Sequence, residues 1–240
     1  MKKAILLLLI PCLIGVGLLF LRPPPPMEEF IPIEQDKAFV FLLYSNNPPK
    51  TCEQNILSLL EQKYDNYRIV FMETGNVRSF TPTLKTMCAK ENKSHLLTIV
   101  TFEEEKPNAY SFQKAISLLK DDEIVVQIEC NDWLANGLIL NRLNRLYASS
   151  EDTWLTYSQF LEYPSYQKGS IDPYMKRMLR TRYNRKLPWA SSPLKIYYAG
   201  IFKQITPKTD DPKLYFAPLA EYSKNHIRFI EEILYIHNTQ

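Results

Sequence analysis

The order of hydrophobic and polar positions along the chain predicts strands that alternate with helices. Short apolar runs of the kind found in strands buried within a sheet occur at residues 37–44, 67–73, 96–102, 123–129 and 153–160. Apolar residues at helical spacing lie between these runs, at residues 51–60, 108–119 and 135–147. Strands separated by helices form βαβ units. The sequence therefore predicts an α/β fold with a mostly parallel central sheet flanked by helices.

The last third of the chain has a less regular pattern. An Asp-Pro pair predicts the start of a helix over about residues 172–182. A final amphipathic helix is predicted over about residues 216–225. His226 and His237 are then expected in or near this last helix, as surface histidines or as histidines whose hydrogen bonds are satisfied.

The N-terminal segment is separate from this pattern. Lys2 and Lys3 precede an uncharged apolar run over residues 4–21, and Arg22 and four prolines follow. A basic start and an apolar run are typical of a cleaved secretory signal or a retained signal anchor, and both alternatives place the following domain outside the cytoplasm, secreted or anchored in the membrane. The chain is thus predicted to comprise a signal peptide or anchor, a proline-rich and acidic linker and a globular domain, at residues 1–22, 23–36 and 37–240.

The N-terminal segment also accounts for the positive charge of the chain. The formal net charge of +3 comes from 29 basic and 26 acidic residues. Lys2, Lys3 and Arg22 are among the basic residues and no acid precedes Glu28, so the remainder has 26 of each sign. A neutral domain lacks the basic footprint of a nucleic-acid-binding protein, and no nucleic-acid partner is expected.

The cysteines limit the covalent cross-links that the domain can form. Cys12 lies in the apolar leader, which leaves Cys52, Cys88 and Cys130. Three cysteines allow at most one intramolecular disulfide, and their spacing matches no zinc-binding pattern.

Polar residues stand at the ends of three predicted strands. In largely parallel sheets, ligands bind beyond the carboxyl ends of the strands, and the three ends are expected to converge on one edge. The alternative is a polar strand end in which Asn131 and Asp132 cap the following helix. The strand ends are Tyr44-Ser45-Asn46, Met72-Glu73-Thr74 and Glu129-Cys130-Asn131-Asp132.

Several phrases of the sequence resemble one enzyme family. LLEQKYDNYRIV is close to a phrase that the family writes S-x-x-x-Q-x-Y-x-N-x-E-I, and IECNDWLANGLILNRLNRLY matches its D-G-D-D-W-L followed by a helix. WLTYSQFLEYP, LPWA, YYAGIF and FIEEILYIHN match further segments. Because of these matches, the segment from about residue 37 to residue 240 resembles a glycosyltransferase of family 2 with the GT-A fold.

The resemblance implies transfer of a sugar from a nucleotide-diphosphate donor, of UDP type, to a glycan, protein or lipid acceptor. The family holds a divalent cation, Mn²⁺ or Mg²⁺, through an acidic D-x-D element, at the position of Glu129, Asn131 and Asp132. Lys195 would neutralise the diphosphate or else be an exposed lysine. The remaining carried-over positions are Tyr44, Ser45 and Asn46 at the donor base, Glu73 at the nucleoside, and Asp210 and Asp211 as candidates for the base that activates the acceptor.

The sequence departs from the family at this element. Glu129 replaces the first aspartate and is one methylene longer, and Asn131 replaces the second and carries no charge. These changes support a second hypothesis, in which the domain is a catalytically inactive binding or interaction module. A membrane-tethered structural protein without a nucleotide site is a third hypothesis.

Overall fold

A computed structural model describes residues 36–45, 52–169, 193–206 and 215–240. The chain divides into two units, Met1–Glu34 and Gln35–Gln240, and all described residues belong to the second. The predicted leader and the predicted helix at 172–182 lie outside the described residues. Among the described helices, none has the length and apolar character needed to cross a bilayer.

The strands form one mixed sheet. Their order across the sheet is β3-β2-β1-β4-β8-β6-β9-β5, with β7 paired to β6. Strands β3, β2, β1, β4, β6 and β9 point in one direction, and β8, β5 and β7 point in the other. The strand bounds are β1 Phe39–Tyr44, β2 Tyr67–Glu73, β3 Leu97–Thr101, β4 Ile124–Glu129, β5 Trp133–Leu134, β6 Leu155–Tyr163, β7 Gln167–Lys168, β8 Lys195–Tyr198 and β9 Ile227–Asn238.

The helices pack on both faces of this sheet. They are α1 Cys52–Leu60, α2 Thr81–Lys90, α3 Ala109–Ser117, α4 Ile139–Ala148, α5 Ala199–Lys203 and α6 Phe216–Ser223, with 3₁₀ helices at Gly75–Phe80 and Ser94–Leu96. Helices α1, α2 and α4 share a core with Phe39, Phe41 and Leu43 of β1. Helices α3, α5 and α6 share the opposite core with Val40 and Leu42. The predicted α/β fold with a mostly parallel sheet flanked by helices is confirmed.

Helix α3 begins at the capping residue that the sequence predicts. Asn108 Oδ1 accepts a hydrogen bond from Ser111 N at 2.9 Å, and Asn108 N donates to Ser111 Oγ at 2.8 Å. This reciprocal capping satisfies two backbone donors at the helix start, and Phe112, Ala115 and Ile116 then face the core. The helix begins next to the predicted Asn108.

The predicted final helix at about residues 216–225 is confirmed as α6, whereas His237, expected in or near that helix, lies on a strand that was not predicted. The final helix ends at Ser223, and residues 227–238 form β9, a strand of 12 residues that pairs in parallel with β6. Ile227, Ile230 and Leu234 are buried at intervals that imitate a helical stripe. The register between β6 and β9 shifts twice near Gln159, and these irregularities break the period of two that identifies a strand.

A partly buried ion pair connects β2 to the start of β4 and predicts acid sensitivity. Arg68 Nε and Nη2 donate to the Glu123 carboxylate at 3.0 and 2.9 Å. Burial raises the pKa of Glu123, but hydrogen bonds from Arg68 and the Lys120 backbone outweigh burial and lower it below 4.5. The pair therefore stabilises the fold above the unfolded-state pKa of about 4.3, and this contribution is lost as the pH falls through the lower folded-state pKa.

We expect the stability difference between the wild type and Glu123→Gln to be largest near pH 7 and to shrink below about pH 4, measured by urea unfolding at each pH. The control is Glu232→Gln, because Glu232 accepts from Arg142 in an exposed pair and exposed pairs contribute little. A wild-type advantage that persists unchanged at pH 3 would contradict the assignment.

Candidate functional site

The carboxyl ends of β1 and β4 lie side by side at one edge of the sheet. Tyr44 is the register partner of Glu129, and Cys130 N donates to Tyr44 O at 2.7 Å. On the other side of β1, Leu43 pairs with Phe71 of β2, so β2 ends at the same edge, in Glu73. The predicted convergence of the strand ends is therefore what the parallel register produces. Tyr44 is buried against Phe112, whose ring centroid is 5.0 Å away, and Ser45 is also buried.

Asp132 is a buried carboxylate that contacts three residues of β9. Its side chain is 3% exposed, although it lies in the turn after β4. Oδ2 accepts the phenol proton of Tyr235, and Oδ1 accepts the backbone N–H of Asn238 at 2.8 Å. His237 Nδ1 lies 3.0 Å from Oδ1 and 3.1 Å from Oδ2. Since a carboxylate only accepts, this imidazole nitrogen carries the proton. Asp132 thus fastens the turn to β9.

Tyr235 connects this carboxylate to the strand ends. Burial raises the pKa of Tyr235 well above its ordinary value, and the negative charge of Asp132 raises it further. The phenol therefore stays protonated and acts as a donor. Tyr44 and Glu129 also lie within electrostatic range of the same hydroxyl. Tyr235 and His237 are the site residues that sequence reasoning missed, because β9 was not recognised as a strand.

The described donor set does not fit a preformed divalent-cation site. Within residues 36–45, 52–169, 193–206 and 215–240, no group of three His, Cys, Asp or Glu side chains is arranged to hold a metal ion. Both oxygens of Asp132 already accept hydrogen bonds from the protein. Glu129 and Asn131 are half-buried beside it, and only Glu129 adds a negative charge.

Glu73 is held by hydroxyl groups on two neighbouring elements. Thr81 Oγ1, at the start of α2, donates to Oε1, and Thr101 Oγ1, at the end of β3, donates to Oε2 at 2.8 Å. The Phe102 backbone N–H donates to the carbonyl of Glu73 at 2.8 Å. These bonds fix the carboxylate at the edge of the sheet, where the nucleoside was predicted to bind.

Lys195 is buried, so the alternative of an exposed lysine is wrong. Its residue surface is 1% exposed, and it begins β8 between Gln127 of β4 and Tyr157 of β6. Nζ lies 3.5 Å from the carbonyl of Pro193. Because β8 runs antiparallel to β4, its first residue lies near the edge at which β4 ends. The amino group of Lys195 is thereby placed within the sheet, close to the polar strand ends.

Three predicted residues cannot be placed. Asn46, which follows β1, and Asp210 and Asp211, the candidate bases, lie outside the described residues. Their predicted roles stay predictions.

Helix α1 and the residues just after it support the segment from Glu129 to Asn136 through polar side chains. Asn55 Nδ2 donates to Glu129 O at 3.1 Å and also to Asp132 O. Ser58 Oγ accepts from Leu134 N at 3.1 Å, and Gln62 Nε2 donates to the Asn136 carbonyl at 2.8 Å. Asn55 and Ser58 are three residues apart on one side of α1, and Gln62 lies just beyond its C-terminal end. The helix therefore positions the segment that contains the strand-end residues.

Asn55→Ala is expected to lower the free energy of unfolding by about 2–4 kcal/mol, because two buried carbonyl groups lose their donor. The measurement is urea unfolding followed by circular dichroism. Asn66→Ala is the matched control, since Asn66 Nδ2 donates to Asp36 O at 3.0 Å in an exposed setting and should cost less than about 1 kcal/mol. Equal losses in the two variants would argue against a special role for Asn55.

Comparison with known proteins identifies the fold through structure alone. The chain matches no protein-family model and no curated protein sequence. It resembles the structure of Staphylococcus aureus TarS 1–349 in complex with UDP-GlcNAc, with a TM-score of 0.64 and 14% identity over 85% of this chain and 59% of that chain. The fold is that of the GT-A glycosyltransferases. At this identity, the likeness establishes the fold and not the activity.

A second solved structure gives the same result. The mannosyltransferase PcManGT from Pyrobaculum calidifontis, in complex with GDP-Man and Mn²⁺, has a TM-score of 0.55 and 16% identity over 99% of this chain and 68% of that chain. The present chain spans about three fifths of the length of the TarS 1–349 structures. The GT-A fold thus accounts for the described domain, while the larger neighbour contains further chain.

Proposed function

We propose that this chain binds a nucleotide-diphosphate sugar at the sheet edge and transfers the sugar to an acceptor, as a family 2-like hexosyltransferase. The observation that carries this proposal is that the polar carboxyl ends of β1, β2 and β4, with Tyr44 directly beside Glu129, lie at one edge of a sheet with the GT-A fold. A UDP-type donor is favoured by the resemblance to the UDP-GlcNAc complex of TarS.

The proposed roles follow from position along this edge. Tyr44 and Ser45, with Asn46, contact the donor base, and Glu73 orients the nucleoside through a carboxylate that two threonines fix. Lys195 supplies positive charge for the diphosphate. The base that activates the acceptor hydroxyl is assigned to Asp210 or Asp211, and loss of such a base costs roughly 10²–10⁴-fold in rate.

A divalent cation, Mn²⁺ or Mg²⁺, would supply Lewis-acid stabilisation of the leaving nucleotide if it is bound with the donor. PcManGT was solved with Mn²⁺. Because Asp132 is engaged by Tyr235, His237 and Asn238, the described side chains alone do not provide the ligand set for it.

The engagement of Asp132 by β9 favours a second candidate function, a GT-A domain retained as an inactive binding module. In that case Asp132 has become a structural residue, Asn131 contributes no charge and nucleotide binding occurs without transfer. In both cases we propose an extracytoplasmic domain, secreted or tethered to the membrane through residues 1–22, with a glycan, protein or lipid as acceptor or partner.

The two candidates are separated by one titration of the purified protein. UDP-GlcNAc, UDP, GDP-mannose and GDP are added with and without Mn²⁺, and both the melting temperature and the release of free nucleotide are measured. For the transferase, we expect stabilisation by a sugar nucleotide together with nucleotide release. Stabilisation without release supports the binding module. If no nucleotide raises the melting temperature under either condition, both candidates are wrong.

A further inference from the structure

Two of the three cysteines in the described domain meet directly behind the candidate site. Cys52 is the first residue of α1, and Cys130 follows the last residue of β4. Both side chains are buried in the same core, and the Cys52 side chain lies within interaction range of the Cys130 thiol. Cys88 lies in α2. All three cysteines are free thiols in this structure.

The meeting of these cysteines is a consequence of how α1 packs. Asn55, three residues after Cys52, lies on the same face of the helix and donates to the carbonyls of Glu129 and Asp132. These two carbonyls stand on either side of Cys130 in the sequence. On the other strand, Cys130 N is held by Tyr44 O at 2.7 Å. The backbone on both sides of the thiol pair is therefore fixed by hydrogen bonds that do not involve sulfur.

We propose that Cys52 and Cys130 form a disulfide that joins α1 to the site turn, while Cys88 stays a free thiol. Such a bond closes a long loop of the chain, the situation in which a cross-link restricts the unfolded state most. The bond would fix the turn that contains Glu129 and Asp132 independently of whether the domain transfers sugar. The predicted export of the domain would place it where disulfides persist.

The oxidation requires a disulfide as the electron acceptor, and oxidised glutathione is sufficient. During folding, the thiolate of one cysteine attacks the glutathione disulfide, forms a mixed disulfide and releases one glutathione thiol. The second cysteine then attacks the protein sulfur of the mixed disulfide, which forms the Cys52–Cys130 bond and releases the second glutathione thiol. The protein loses two electrons and two protons, and glutathione disulfide is reduced to two thiols.

The test is to refold the reduced, denatured full chain in a glutathione redox buffer and to map its cysteines. Remaining thiols are alkylated in denaturant without reductant, and the protein is digested with trypsin. The three cysteines of the described domain fall in separate tryptic peptides, residues 51–63, 86–90 and 121–142, and Cys12 falls in a fourth, residues 4–37. We expect 51–63 linked to 121–142 and 86–90 alkylated. Separate alkylation of all three peptides, or a link that includes 86–90, would overturn the proposal.

Matched variants keep the test informative. Cys88→Ser should retain the link, and Cys52→Ser should leave peptide 121–142 alkylated. Reduction of the refolded wild type should lower the melting temperature by on the order of 10 °C. The same treatment should leave Cys52→Ser unchanged. An equal response of the wild type and Cys52→Ser to reductant would also count against the bond.

Discussion

Asp132→Ala is expected to lower the free energy of unfolding by about 3–5 kcal/mol and the melting temperature by roughly 6–20 °C. The substitution removes at once the acceptor for the buried Tyr235 hydroxyl and for the partly buried His237 Nδ1 and Asn238 N. Each buried donor that is left without a partner costs about 1–3 kcal/mol. The measurement is thermal and urea unfolding at pH 7.

Glu231→Ala is the control, because Glu231 is an exposed acid on the same strand, β9, and should change stability by less than about 0.5 kcal/mol. Asp132→Asn should fall between the two, since its amide keeps one acceptor oxygen. If Asp132→Ala melts like the wild type but no longer responds to Mn²⁺ and nucleotide, Asp132 is a cation ligand and its contacts to β9 are secondary.

This distinction bears on the meaning of the strand-end sequence ECND. The sequence alone suggests a D-x-D element with a lengthened first acid and an amide in place of the second. The structure shows that the aspartate that follows this element, Asp132, accepts hydrogen bonds from Tyr235 and His237 of β9. The change at Asn131 is therefore accompanied by a structural use of Asp132, which is the physical basis for considering a binding module.

The first half of the fold could be predicted because its signals are local. The strands from β1 to β4 are short apolar runs between polar turns, and α3 has its own capping box. Once these elements alternate, a parallel register brings Tyr44 next to Glu129 without further information. The position of the candidate site follows from this register.

The partners of Asp132 could not be predicted because they are distant from it in the sequence. Tyr235 and His237 are separated from Asp132 by 103 and 105 residues, and only the pairing of β9 with β5 and β6 brings them together. The register shifts in β9 hide its strand period. Lys195 was found by comparison with the family, but its burial depends on β8 lying between β4 and β6, and no local pattern indicated that strand.

Lys195→Met is expected to weaken binding of a nucleotide diphosphate by about 10–100-fold, while the melting temperature changes by less than about 5 °C. Methionine keeps the length and the apolar stem of lysine but removes the charge that would offset the diphosphate. Because burying an ammonium group is costly, removal of the charge relieves desolvation and offsets the polar contacts that are lost.

Isothermal titration with UDP measures the affinity of Lys195→Met, and Lys114→Met, at an exposed position of α3, is the control for a generic loss of charge. The control should bind within about twofold of the wild type, since exposed charges are screened by salt. Unchanged affinity in Lys195→Met, or a large loss of stability with unchanged affinity, would make Lys195 a structural residue. A specific loss of affinity would instead place the diphosphate at the start of β8, where the sheet positions a buried positive charge next to the ends of β4 and β1.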